Sequence, residues 1–291
     1  MVAELFSLIA PVFICAGIGF LWTRLGKPYD TAMVGSLMTN IGAPCLVFSS
    51  LLRITVEPAA LGLMAGMALA ALGVSAVIGV GALKAAGLSR RAFLPPLIFA
   101  NTGNMGLPLA LLAFGETGLA LAIVYFTTVV LVHFTIGVGY LSGAVSPTAL
   151  LRIPVLYAVA AALAFMVTGT QAPSWVTNTT RLLGDMTIPL MLITLGVSLS
   201  QLRVSGIGRA LSLSTLRLVM GFTIGVGLAW AFDLEGAARG VVILQSSMPV
   251  AVFNYLFAQR YDRSPEEVAG MVVVSTALSF LTLPFLLWFV L

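Results

Sequence analysis

The sequence predicts an all-α polytopic membrane protein with ten transmembrane helices in two inverted five-helix repeats, of which helices four and nine are broken. Of its 291 residues, 60% are hydrophobic and 8% are charged, whereas about 25% of the residues of a soluble domain are charged. Four uncharged runs each exceed the ~20 residues that a helix needs to cross a bilayer. These runs lie between Glu57 and Lys84, Arg91 and Glu116, Glu116 and Arg152, and Glu267 and Leu291.

The apolar runs, taken in chain order, predict the spans one by one. Their bounds lie near residues 4–24, 31–52, 57–83, 91–113, 117–142, 152–170, 174–200, 206–232, 236–258 and 265–291. The last span has the clearest start. Ser264 provides a cap, Pro265 stands at the first helical position, and Glu266 and Glu267 lie in the first turn.

The distribution of Lys and Arg predicts the orientation of the spans. The loops after the odd-numbered spans hold ten of the 14 basic residues, namely Arg24, Lys27, Lys84, Arg90, Arg91, Arg152, Arg203, Arg209, Arg260 and Arg263. The opposite side has Arg53, Arg181 and Arg239, and Arg217 lies inside a span. Because basic loops stay in the cytoplasm, we expect both termini outside, in the cytoplasmic membrane of a bacterium.

Internal repeats support a division of the chain into two halves. Three motifs recur about 140 residues later, in the corresponding span. The pairs are Pro11-Val12 with Pro154-Val155, Asn40-Ile-Gly-Ala-Pro44 with Asp185-Met-Thr-Ile-Pro189, and Pro108 with Pro249. We therefore expect repeats at residues 1–143 and 147–291. Since each repeat has an odd number of spans, the second is inverted in the membrane.

Spans four and nine are interrupted by polar residues where a lipid-facing helix would carry Leu or Val. Backbone groups at membrane depth must be satisfied internally, so a broken helix persists where protein or a water-filled cavity surrounds it. Paired broken helices mark the binding site of many secondary transporters. If helix four restarts near Asn104 and helix nine near Ser247, inversion brings the two new N-termini together. Each carries roughly half a positive charge, so the crossing would attract an anion.

The residues of both breaks are the candidates for substrate binding. They are Asn101, Thr102, Gly103, Asn104, Pro108, Gln245, Ser246, Ser247, Pro249 and Asn254. Asn101, Thr102, Gly103 and Asn104 could contact substrate or merely cap and satisfy the break. Gln245, Ser246, Ser247 and Asn254 could also contact substrate, although serines also serve close helix packing. The two prolines keep the break open and contribute through shape.

Four further polar residues are candidates for coupling or for a charge pair. Asp185 could carry a coupling proton or hold a cation, or it could pair with Arg217. Arg217 could instead bind a substrate carboxylate or extend to the cytoplasmic interface. Asn40 is the counterpart of Asp185 in the first repeat. His133 could titrate, although a packing role is the simpler interpretation.

The motif Asn101-Thr-Gly-Asn-Met-Gly-Leu-Pro108, followed by Phe114-Gly115-Glu116, resembles the auxin efflux carrier family. Asn40-Ile-Gly-Ala-Pro44 upstream and Ser247-Met-Pro249 downstream extend the likeness over the chain. That family includes bacterial malate and malonate permeases and plant auxin carriers. The resemblance implies crossed broken helices, elevator-type movement against a scaffold, dimerisation through scaffold helices, and a fold like that of the bile acid symporters. The chain lacks the long hydrophilic central loop of the plant carriers.

These observations together predict a secondary transporter of small organic anions, either carboxylates such as malate and malonate or auxin-like acids. The expected partners are this anion, the lipid bilayer and a second copy of the chain, and we expect no cofactor. A coupling proton fits better than Na⁺, because neither break contains an acidic ligand. A sodium-coupled symporter and a non-transporting ligand sensor are the alternatives. An enzyme is not expected, because HExxH, GxSxG and paired His or Cys ligands are missing, and there is no basic cluster suited to nucleic acid.

Overall fold

The computed structural model describes residues 2–53, 58–143, 153–202 and 205–291, and within these ranges it contains helices and no β-strand. The helices are α1 Val2–Arg24, α2 Thr31–Leu37, α3 Ala43–Arg53, α4 Pro58–Ala85, α5 Arg90–Ile98, α6 Leu107–Val132, α7 Val138–Ser142, α8 Pro154–Thr168, α9 Ser174–Asp185, α10 Thr187–Gln201, α11 Ile207–Ala231, α12 Gly236–Ser246, α13 Val252–Arg260 and α14 Pro265–Val290. The all-α prediction is therefore confirmed for this part of the chain. The predicted joint between the repeats lies near Ser142 to Thr148, and its residues 144–148 lie outside the described residues, as do the loop cations Arg152 and Arg203.

Six described segments are long and apolar enough to cross a membrane. They are Thr31–Arg53, Ala59–Ala85, Thr102–Ser142, Ser174–Gln201, Ile207–Ala231 and Pro265–Val290, and Ile9–Arg24 and Pro154–Thr168 are shorter apolar helices. Segment Thr102–Ser142 has 41 residues, which is about twice the length of one span. Gly115 divides it, with φ 63° and ψ −157°, a conformation that a residue with a Cβ adopts only under strain. The six segments are fewer than the ten predicted spans. Helix α1 is a further apolar helix of 23 residues, α5, α12, α13 and α8 are short helices, and Thr102–Ser142 runs on through Gly115.

Several breaks in the helices follow from proline. Pro44 and Pro189 cannot donate a backbone hydrogen bond, and each comes two or three residues after an irregular turn. A π-helical turn at Met38–Gly42 separates α2 from α3, and Met186 separates α9 from α10. The motif pair that the sequence aligns therefore forms a helix interruption in both halves.

The helices pack as two groups. In the first group, α1 lies along α10, and α3 packs against α8 and α9. In the second group, α4, α6, α11, α12 and α14 pack against one another, and α5 and α13 join them. The groups meet where α1, α3 and α10 approach α6 and the turn at Thr102–Gly106, and α1 also touches α14.

Glycines allow the backbones of α1 and α10 to touch. A Cβ on Gly196 would overlap the carbonyl oxygen of Ala16, and a Cβ on Gly19 would overlap that of Ile193. Small residues at such positions let membrane helices approach closely. This close approach joins α1 to α10 within the first group.

We expect Gly196→Ala to destabilise the protein, because the new methyl group would push α1 away from α10. Overpacking of this kind costs about 1–3 kcal/mol. The matched control is Gly17→Ala, since a Cβ on Gly17 would meet no atom within 4 Å. The melting temperatures of the purified variants in detergent test this prediction. Equal melting temperatures for the two variants would contradict the described contact.

Candidate functional site

The two broken helices cross each other. Helix α5 ends at Ile98 and a π-helical turn begins at Thr102, whereas α12 ends at Ser246 and α13 begins at Val252. The short extended segments between them are antiparallel and form a bridge at Ala100 and Val250. The paired breaks that the sequence predicts are therefore brought into direct contact.

Backbone hydrogen bonds hold the crossing. The N–H of Asn101 donates to the carbonyl of Pro249 at 2.7 Å, and the N–H of Ala251 donates to the carbonyl of Phe99 at 3.2 Å. On the outer side of this pairing, the N–H of Val250 donates to Ser275 Oγ at 3.0 Å. Each break thus satisfies backbone groups that the other break leaves open, as a non-aqueous environment requires.

Asn254 belongs to the crossing itself. Its Nδ2 donates to the carbonyl of Phe99 at 2.9 Å and to the carbonyl of Ala251 at 3.1 Å. Its side chain is buried, and its Oδ1 has no hydrogen-bond partner among the described residues. The amide therefore joins α13 to the first break, and the Asn254 side chain also interacts with that of His133.

The polar residues of the first break differ in their access. Asn101 is 3% exposed, and its Nδ2 has no partner within the described part of the chain. Thr102 is buried and Gly103 packs against the ring of Phe126, whereas Asn104 is half-buried. Asn104 therefore has the most accessible side chain of the four. Pro108 lies in the first turn of α6.

The residues of the second break face in different directions. Gln245 is fully buried against Gly106, and neither atom of its amide has a partner in the described structure. Ser246 Oγ lies 3.0 Å from Tyr125 Oη. Ser247 Oγ donates to the carbonyl of Ile243 at 2.6 Å, within its own helix. Because buried amides are rarely left unpaired, Gln245 is the strongest ligand candidate in this break.

Arg217 lies beside the crossing. The sequence predicted the crossing itself but not this position of Arg217. Its side chain is 2% exposed, and its Nη2 donates to the carbonyl of Ser246 at 2.8 Å. Its Nε and Nη1 have no partner among the described residues. The guanidinium borders a cavity of about 10 Å³, which is room for about one water molecule. The cavity is lined by Ala71, Leu72, Ser75, Ile98, Ala100, Thr102, Tyr125, Val129, Arg217, Gln245 and Ser246.

Tyr125 also lines the cavity beside Arg217, and the sequence did not single it out as a candidate. It is 3% exposed and its hydroxyl reaches the second break. Span five contains two tyrosines, Tyr125 and Tyr140, and Thr127 and Thr128 follow the first of them. These polar residues in an apolar run were the available signal, and it does not distinguish Tyr125 from the others.

The structure places Asp185 away from the crossing. It is the last residue of α9, its side chain is 57% exposed, and it pairs with Arg53 at 3.8 Å and with Arg181 at 3.7 Å. The alternative pairing with Arg217 is therefore not formed. Arg53 also lies 3.8 Å from Glu116 of α6. These charges border a cavity of about 280 Å³ that Leu46, Ser50, Leu111, Leu119, Ile188 and Pro189 also line.

Asn40 and His133 have local partners. Asn40 is exposed, and its Nδ2 donates to the carbonyl of Ser36 at 2.9 Å. The buried ring of His133 stacks on Phe99 at 3.9 Å between centroids and meets Phe257 edge-on at 5.2 Å. His133 therefore packs directly beneath the first break.

Comparisons with known proteins agree with a role in transport. Residues 140–287 match the family described as membrane transport proteins, which confirms the resemblance to the auxin efflux carriers. The chain is 28% identical over 197 residues to an uncharacterized transporter of Methanothermobacter thermautotrophicus and 27% identical over 203 residues to one of Methanocaldococcus jannaschii. These alignments cover 65% and 66% of the chain but 63% and 65% of the relatives, so the matched part spans slightly less than two thirds of their length.

We expect Asn254→Ala to destabilise the protein, because the carbonyl of Phe99 loses a buried donor. Leaving a buried group unsatisfied costs about 1–3 kcal/mol. The matched control is Asn40→Ala, which removes an exposed local hydrogen bond and should change stability by no more than about 0.5 kcal/mol. Titration of the two variants with a denaturing detergent measures the difference. Equal effects would show that Asn254 does not support the crossing.

Proposed function

Since the chain belongs to the membrane transport protein family, we propose that it is a secondary transporter that carries small organic anions through the crossing of its broken helices. The observation that carries this proposal is the mutual pairing of the breaks at Ala100 and Val250. Such crossings supply binding sites in secondary transporters, because they expose helix ends at the bilayer midplane. The family and the relatives are transporters and not enzymes.

The charges at the crossing favour an anion. The turn at Thr102 and helix α13 at Val252 both begin there, and a helix N-terminus carries roughly half a positive charge and free N–H groups. Asn101 adds a buried amide whose Nδ2 has no partner in the described structure. Carboxylates accept hydrogen bonds from such donors. Malate, malonate and auxin-like acids are therefore the proposed substrates.

We propose ten spans in two inverted repeats for the whole chain. On this interpretation, α5 and the first part of α6 form span four, and the rest of α6 with α7 forms span five. Helices α12 and α13 together form span nine. The turn at Gly115 and the crossed breaks support this division. The basic loops favour both termini outside.

An elevator-type movement is the proposed mechanism. All four half-helices of the crossing belong to the second group of helices, and that group meets the first through α1, α3 and α10. The second group could therefore carry the bound anion as a unit past the first. The 280 Å³ cavity beside Arg53 and Glu116 lies between the groups, where an entrance to the crossing would be expected. The first group would be the scaffold through which two copies associate.

A proton, or no ion at all, is the proposed coupling partner. An alkali cation bound by the protein would gain from a carboxylate ligand, and Asp185 and Glu116 lie at the charge cluster near Arg53 and away from the crossing. A coupling proton could be carried by Asp185 at that cluster. Sodium coupling is the alternative that the flux experiment below distinguishes.

Flux of radiolabelled malate into proteoliposomes tests the proposal. We expect saturable uptake of malate, and competition by malonate and by an indole carboxylate shows which class is preferred. Uptake is compared with inward and outward pH gradients and with Na⁺ or K⁺ on either side. Flux that needs Na⁺ would favour the symporter, and binding of malate without flux would favour the sensor.

Substitution of the asparagines locates the site. We expect Asn104→Ala and Asn101→Ala to lower malate uptake at least tenfold, because one lost hydrogen bond to a charged group amounts to about 1.5–3 kcal/mol. The control is Asn178→Ala, which removes an exposed asparagine of α9. Size-exclusion profiles and melting temperatures confirm that the variants fold. Unchanged uptake in both crossing variants would refute the site.

A further inference from the structure

Arg217 carries a buried charge that no acidic side chain balances. The residue lies in α11 and is 2% exposed, and none of the described acidic groups forms a salt bridge with it. A guanidinium keeps its charge at physiological pH. A buried charge is costly unless it is paired, so something other than a carboxylate stabilises this one.

The compensating charge comes from two helix ends. Ile98 is the last residue of α5 and Ser246 is the last residue of α12, and both line the cavity beside Arg217. A helix C-terminus carries roughly half a negative charge and carbonyls without helical partners. Two such ends together balance about one positive charge. The 2.8 Å hydrogen bond from Nη2 to the carbonyl of Ser246 joins the guanidinium to one of them.

The other polar groups of the cavity are neutral. Tyr125 contributes a hydroxyl, Gln245 an amide, and Thr102 and Ser75 are hydroxyl residues of the lining. Helix C-termini, unwound carbonyls and neutral oxygens are the groups with which transporters of broken-helix design hold coupling cations. In this chain the guanidinium of Arg217 stands among them.

We propose that Arg217 is a tethered cation that occupies the position of an alkali coupling ion, so that the crossing keeps its positive charge without Na⁺ or K⁺. This inference rests on the proposed role of the crossing in transport. The substrate would bind on the side of the helix N-termini, and Arg217 would stabilise the opposite side. Arg217 is thus a positioning residue that holds the second break in place.

The surroundings of Arg217 fit a permanent cation better than a substrate site. The cavity is lined by residues of α4, α5, α6, α11 and α12 and of the first break, and none of its lining residues belongs to the first group of helices. Its volume of about 10 Å³ excludes an organic acid. Gly221 keeps α11 close, because a Cβ there would overlap the carbonyl of Ser246 and would lie 2.9 Å from Nη1 of Arg217.

The experiment measures melting temperatures of the purified protein in choline chloride, NaCl and KCl at equal ionic strength. We expect the wild-type protein to melt at the same temperature in all three salts. Arg217→Ser removes the charge and leaves space and a hydroxyl. It should melt at a lower temperature in choline chloride and regain several degrees with Na⁺ or K⁺, in a saturable manner. Arg217→Lys keeps a charge and should remain insensitive to the cation.

Arg260→Ser is the matched control, because Arg260 is exposed at the end of α13 and its loss should give no response to the cation. A rise specific to Na⁺ or K⁺ in the wild-type protein would overturn the proposal. Equal melting of Arg217→Ser in all three salts would also overturn it. The proposal requires that free Na⁺ or K⁺ can replace the missing guanidinium charge. Failure of both Arg217→Ser and Arg217→Gln to fold in every salt would therefore overturn it as well. Malate is not present in this assay, so a wrong substrate proposal would leave its outcome unaffected.

Discussion

The requirement to satisfy backbone polar groups away from water determines the centre of this molecule. Each broken helix leaves N–H and carbonyl groups without helical partners, and such groups are expensive at membrane depth. Across the crossing, the N–H of Asn101 donates to the carbonyl of Pro249, and the N–H of Ala251 donates to the carbonyl of Phe99, so these groups are satisfied. Neither break would be stable without the other. The second group of helices is therefore assembled around two helix breaks whose backbone groups hydrogen-bond to each other.

The crossing has two electrically different sides. The restarted helices present N–H groups on one side, and α5 and α12 present carbonyls on the other. A helix dipole falls off within about one turn, so each side acts on its own surroundings. Arg217 lies on the carbonyl side, where it donates to Ser246. A bound anion would balance the partial positive charge of the N–H groups, just as Arg217 balances the partial negative charge of the carbonyls. The local charges would then stay paired while the anion is carried.

Sequence patterns could predict the breaks but not the neighbours of the buried charges. Amides and glycines in an apolar run indicate an interruption wherever they stand, so Asn101 and Gln245 were identified without coordinates. The positions of Asp185 and Arg217 depend on which way each helix faces and where its neighbours lie. The interruption at Met186 ends α9 at Asp185, and Asp185 then forms ion pairs with Arg53 and Arg181. A periodic pattern contains no information about that choice of partner.

The contacts between the two helix groups bear on whether they can move past each other. The polar link described between them, Arg53 with Glu116, is 3.8 Å long with side chains 33% and 52% exposed. Exposed pairs of this kind contribute about 0–1 kcal/mol, so breaking it would hinder movement little. The crossing, by contrast, consists of buried hydrogen bonds within one group. A sliding motion would therefore separate the groups at the weak contact and keep the crossing intact, which is what carrying a bound anion requires.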